Sequence, residues 1–111
     1  MGLTAARFDQ MKWEPGTHPL ENKKALSAGS VVLVKFAPGF ADPAWCERSH
    51  AIYVVEGAIA LELEGRVETF SSGQAAVLDR GTRHRASNPA SEPAVLFIVS
   101  DYTTGPARRR A

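Results

Sequence analysis

Apolar residues along this chain fall in short runs, at 31–36, 51–55, 59–63, 75–78 and 95–99. Between the runs stand turn-forming pairs: Pro38-Gly39, Glu56-Gly57, Glu64-Gly65, Ser72-Gly73, Arg80-Gly81 and Asn88-Pro89. No stretch of helical length carries a clear 3.6-residue apolar period. Short β-branched runs separated by turn signals predict an all-β sandwich or barrel. Segment 59–70 is the clearest case. Ile59, Leu61 and Leu63 fall on one face and Ala60, Glu62 and Glu64 on the other, the period of a strand with one buried side. Glu64-Gly65-Arg66 then turns the chain so that 67–70 returns antiparallel.

Two runs are apolar throughout, Val31-Val32-Leu33-Val34 and Val95-Leu96-Phe97-Ile98-Val99. They are strands covered on both faces or strands at a subunit interface, and the second option makes the protein a homodimer. Residues 1–25 are read as an N-terminal arm or irregular strand, since Pro15-Gly16 and Pro19 forbid a long helix. Residues 26–103 form the β-domain, and 104–111 a disordered basic tail ending in Arg108, Arg109 and Arg110.

Composition adds boundaries rather than chemistry. A chain of 111 residues, 44% of them hydrophobic, makes one domain with one core. The single cysteine, Cys46, forms no internal disulfide and suits a reducing, cytoplasmic setting. A net charge of +1 points to neither nucleic acid nor membrane as a partner, and residues 1–10 contain no long apolar run.

From Gly39 onward the sequence resembles the cupin superfamily. The first cupin motif runs from a glycine through His-x-His and a glutamate to a closing glycine. Here Gly39 opens it and Gly57 closes it, and Tyr53-Val54-Val55-Glu56-Gly57 is similar to the Tyr-Val-Leu-Glu-Gly that commonly ends it. The second motif spaces a glycine, a Pro-x-Gly, a histidine and an asparagine. Gly73, Gly81, His84 and Asn88 occupy those places, with Asp79 where the proline belongs. The resemblance covers roughly residues 30–100. It implies a small antiparallel β-barrel, a double-stranded β-helix of jelly-roll type.

The same resemblance locates the chemistry and shows where this chain departs from the family. Ala44 stands at the first histidine position, Cys46 at the second and His50 at the glutamate position, while His84 is the usual residue. A metal site of Cys46, His50 and His84 is the expectation. Thiolate and imidazole favour zinc, iron, nickel or copper over manganese or magnesium, and three ligands leave one position open. Residues 46 and 50 of a straight strand lie about 13 Å apart, so this site requires a bend at Glu47-Arg48-Ser49. Trp45 points away from Cys46, and Arg83 and Arg85 point away from His84. Asp42, Glu47 and Arg48 fall near the mouth, and His18 is expected at the surface. The functions that follow are a metal-dependent enzyme on a small organic molecule or, given Ala44, a metal-free small-molecule binding or sensor module. A third is redox sensing through Cys46.

Overall fold

The structure, a computed structural model, describes residues 2–101. The expected tail at 104–111 lies outside them. Nine strands form in chain order: β1 (Glu14–Pro15), β2 (Glu21–Leu26), β3 (Val31–Phe36), β4 (His50–Glu56), β5 (Ala58–Leu63), β6 (Arg66–Ser71), β7 (Ala75–Leu78), β8 (His84–Ser87) and β9 (Ala94–Ser100). Two single-turn 3-10 helices, Phe8–Gln10 and Ser27–Gly29, complete the elements. No helix among the described residues is long and apolar enough to cross a membrane.

All pairings are antiparallel. One sheet has the order β1-β2-β3-β9-β4-β7 and the other the order β6-β5-β8. The fold is therefore all-β, as the sequence predicts, but the strands close no continuous barrel by pairing. Two sheets pack across a shared core instead. Val34, Phe36, Ile52, Val54 and Leu96 come from the first sheet, Ile59 and Leu61 from the second, and Phe40 from the connection between them. Phe36 and Phe40 stack with their centroids 3.9 Å apart.

The chain changes sheets at two places that matter for the site. Between β4 and β5 it turns at Gly57, whose φ is +76. A Cβ there would sit 2.5 Å from the Pro93 carbonyl oxygen, so both the conformation and the close approach require glycine. Between β3 and β4, residues 37–49 leave the first sheet and run beside β8. They make isolated bridges from Ala41 to Ser87 and from Cys46 to His84.

The N-terminal segment holds more regular structure than an arm. Most of β2 lies within residues 1–25, and β2 pairs with β3 along its whole length, from Glu21↔Phe36 to Leu26↔Val31. Its polar sequence, Glu21-Asn22-Lys23-Lys24-Ala25-Leu26, carries no alternating apolar pattern; register with β3 sets it. Ahead of it, Phe8 packs edge-on against Phe97, and Trp13 stacks between the ammonium groups of Lys24 and Lys35. These contacts cover part of the outer face of β3 and β9. The outer face of β4 and β7 keeps apolar exposure at Tyr53 (47%), Val55 (39%) and Val77 (65%).

Candidate metal centre

The required bend is present between Cys46 and His50. The Cys46 N–H donates to the His84 carbonyl and the His84 N–H to the Cys46 carbonyl, at 2.9 and 3.0 Å. Beyond that bridge, the Gly81 N–H holds the Glu47 carbonyl (2.8 Å) and the Asp101 N–H holds the Ser49 carbonyl (3.0 Å). Gly81, with φ +92, turns the chain into β8 and presents His84 to the interior. Arg48 clamps the end of β9 by donating to both oxygens of Asp101, at 2.7 Å from Nη2 and 3.0 Å from Nε to Oδ2.

The result brings together the three residues the sequence nominated. One donor atom from each of Cys46, His50 and His84 lies within 4.8 Å of the others. Cys46 Sγ is 3.6 Å from His50 Nε2. A sulfur and a nitrogen bound to one tetrahedral zinc, at bond lengths near 2.3 and 2.0–2.1 Å, stand about 3.6 Å apart. The separation fits a shared metal better than a direct hydrogen bond.

The second nitrogen of each ring is already committed. His84 Nδ1 is 2.8 Å from the Thr82 carbonyl oxygen. That oxygen only accepts, so Nδ1 carries the hydrogen and Nε2 presents a lone pair. His50 Nδ1 is 2.7 Å from Ser100 Oγ. Such outer partners fix the ring orientation of metal-binding histidines. The two rings meet edge-on with centroids 5.1 Å apart. Burial pushes the His50 pKa down from 6.5 to about 4, with smaller contributions from His84 and Arg48. His50 is therefore neutral, the form that binds metal.

These atoms lie on the wall of a cavity of about 340 Å³ between the sheets. Its body is hydrocarbon, from side chains such as Val32, Val34, Ile52, Leu96 and Ile98. Ala44 lines it without offering a donor. Asp42 also faces it, and its Oδ2 accepts the Ala86 N–H at 2.8 Å. Burial raises the Asp42 pKa above its ordinary 3.8, opposed by that hydrogen bond and by the nearby histidines and Arg85. Arg48 reaches the cavity wall as expected. Glu47 does not line it and instead meets Arg83 outside, at 3.8 Å.

Trp45 faces away from Cys46, with the guanidinium groups of Arg85 and Arg83 at 4.2 and 4.8 Å from its ring. Those arginines pair with Glu62 and Glu64, so this face is structural. His18 corrects the surface expectation. It is half-buried, packs edge-on against Phe40 at 4.9 Å, and accepts the Leu20 N–H through Nδ1. Adjacency to Pro19 conceals the loop that folds its ring inward. Sequence reasoning did not find Ser100 or Lys23. Ser100 ends an apolar run as its one polar residue, a usable signal. Lys23 reaches the cavity only through the register of β2 with β3 (Lys23↔Val34).

An antiparallel two-sheet fold with imidazole and thiolate donors gathered in its interior defines a cupin-type barrel protein with a variant ligand set. The chain belongs to the cupin domain family (Cupin_2), whose model matches residues 32–100. No curated protein matches the sequence. Among solved structures it is similar to KdgF from Halomonas sp., at 27% identity and a TM-score of 0.69, over 86% of this chain and 92% of that one. It also resembles a cupin-superfamily sugar phosphate isomerase from Silicibacter pomeroyi (19% identity, TM-score 0.71, 89% and 76% covered). A third is Drosophila melanogaster CENP-C, in complex with CAL1 (14%, 0.70, 88% and 80%). The last two likenesses bear on the fold alone.

Proposed function

We propose that this cupin holds one divalent transition metal (zinc, iron, nickel or copper) through Cys46, His50 and His84, and acts on a small organic molecule in the adjoining cavity. The convergence of three donor atoms within 4.8 Å carries this reading. Such a metal supplies Lewis acidity and, at its open position, an activated water or a substrate site. The protein's own groups do the rest. The Thr82 carbonyl keeps the hydrogen of His84 on Nδ1, Ser100 orients His50, and the hydrocarbon walls exclude bulk water. Asp42 is the carboxyl group placed to exchange a proton with the bound molecule. A thiolate ligand requires reduced Cys46, so the reading includes a cytoplasmic location.

Elemental analysis of the purified protein, beside Cys46→Ser and His84→Ala, tests it. Near-stoichiometric metal that falls in both variants supports the site, and absence of metal from the reconstituted wild type retires it. In that event the second reading, a metal-free binding module, takes over; Ala44 on the cavity wall is the observation that favours it. We further propose a homodimer through the exposed outer face of β4 and β7. Light scattering of the wild type and of Val77→Glu tests this, and a monomeric wild type overturns it.

A further inference from the structure

The cavity walls also carry information about the ligand, an inference that rests on the reading that this cavity holds one. Strand alternation and the register of β2 with β3 put Glu21 and Lys23 on the inward face, opposite Phe36 and Val34. Lys23 is half-buried there and lines the cavity. The other side-chain cation on the wall besides the histidines, Arg48, is held by Asp101 at 2.7 Å. Lys23 has no carboxylate within ion-pair or hydrogen-bond distance among the described residues. Glu14 is its register partner on β1 but makes no ion pair with it, and Glu21 instead accepts from the Thr17 hydroxyl at 3.4 Å. An ammonium group left unpaired at the wall of an otherwise hydrocarbon cavity is a recognition group in search of an anion.

The remaining surface decides the rest of the molecule. Phe36, Val32, Val34, Ile52, Leu96 and Ile98 present nothing that can hydrogen-bond a hydroxyl. A polyol placed against them would bury several unpaired hydroxyl groups, whereas an alkyl or aryl group loses nothing. A volume of about 340 Å³ is at the small end of ligand sites.

We infer that the ligand is a small carboxylic acid with an apolar body, its carboxylate held by Lys23 and its alkyl or aryl part lying along the hydrocarbon walls toward Cys46, His50 and His84. It is not a sugar or sugar acid.

Titration calorimetry on the whole protein, metal-reconstituted and chelated, tests this with phenylacetate, 4-phenylbutyrate and octanoate. Phenylacetamide serves as the uncharged control and galacturonate as the polar acid. At least one apolar acid is expected to bind, with Lys23→Gln weakening it about 10- to 100-fold, the worth of one hydrogen bond to a charged group. The amide should bind equally weakly to both proteins, and Lys12→Gln, at an exposed position, should change nothing. Binding of galacturonate as tight as that of the apolar acids overturns the apolar body. Affinity unchanged in Lys23→Gln overturns the anchor, and no binding by any of the three acids overturns the inference whole. Metal content of the same samples separates this idea from the metal reading. Metal-free protein that binds phenylacetate through Lys23 retires the metal and keeps the ligand class; metal-loaded protein indifferent to all three acids does the reverse.

Discussion

His84 and Thr82 are linked by a 2.8 Å contact between the ring Nδ1 and the backbone carbonyl oxygen, which fixes the tautomer of the most buried candidate ligand (His84 is 3% exposed). His50 depends on a side chain for the same service, the Ser100 hydroxyl at 2.7 Å. The two histidines should therefore respond differently to mutation of their surroundings. Ser100→Ala frees the His50 ring without removing a donor and should weaken metal binding about 10- to 100-fold. His84→Ala removes a ligand and should abolish retention of metal. Competition with a chromophoric chelator measures both. Equal affinity of Ser100→Ala and wild type would show that the hydroxyl plays no part in holding the ring for metal.

Stability of the metal-free protein should fall in mild acid because of His50. Its folded pKa, about 4, lies below its ordinary 6.5, chiefly through burial. The unfolded chain therefore takes up a proton first as pH falls. The contribution is fully present above about pH 6.5 and is lost by about pH 4. The difference corresponds to at most about 3 kcal/mol, reduced to ~1–2 kcal/mol by solvent reaching the ring. Urea titrations in chelator at pH 7.5, 5.5 and 4.5 check this against His50→Gln. The gap between the two proteins should narrow as the solution is acidified, and a constant gap would sink the assignment.

Much of this was legible in the chain, and the limits have physical causes. The runs at 59–63, 75–78 and 95–99 match β5, β7 and β9 closely, because each has one or both faces in the core. Spacing around Gly73, Gly81 and His84 located the metal cluster, because tight turns hold their residues at fixed offsets. Strands β2 and β8 escaped, the first because its sequence is polar and only pairing with β3 orders it, the second because His84-Arg85-Ala86-Ser87 is too short to show a period. Lys23 escaped with β2. The Thr82 carbonyl could not be read at all, since a backbone acceptor leaves no trace in residue identity.

Asp42 exposes a conflict between stability and function. Burial is the main reason its carboxyl holds a proton to higher pH than usual, so the folded state favours the neutral form. Its stabilising contribution is present below the ordinary value of 3.8 and is lost as pH rises through the folded value. Asn is neutral, similar in size and still able to accept the Ala86 N–H. Asp42→Asn should therefore melt at higher temperature than wild type at pH 7, with the gap closing near pH 3.5. The same change removes the proton-exchanging group from the cavity and should lower turnover once a substrate is in hand, a trade common at functional sites. A variant less stable than wild type at pH 7 would mean that the carboxylate is paired more strongly than its hydrogen bond to Ala86 indicates.

Gly57 and Gly65 separate two reasons for a glycine. Both adopt left-handed backbone, with φ of +76 and +85. At Gly65, in the β5–β6 turn, an added Cβ meets nothing within 4 Å, so Gly65→Ala should cost only the conformational term, about 1–2 kcal/mol. At Gly57 the same Cβ would lie 2.5 Å from the Pro93 carbonyl oxygen and 3.0 Å from Ala94 Cα, backbone that cannot swing aside. Relief requires the β4–β5 corner to part from the start of β9, which loosens the packing of Ala94 and Val54 in the core. Gly57→Ala should therefore cost clearly more, about 3–5 kcal/mol, the range of strained and overpacked sites. Parallel urea denaturation of the two variants measures the difference. Equal losses would mean that the corner yields freely and that left-handed backbone alone, not the close approach to Pro93, demands glycine there.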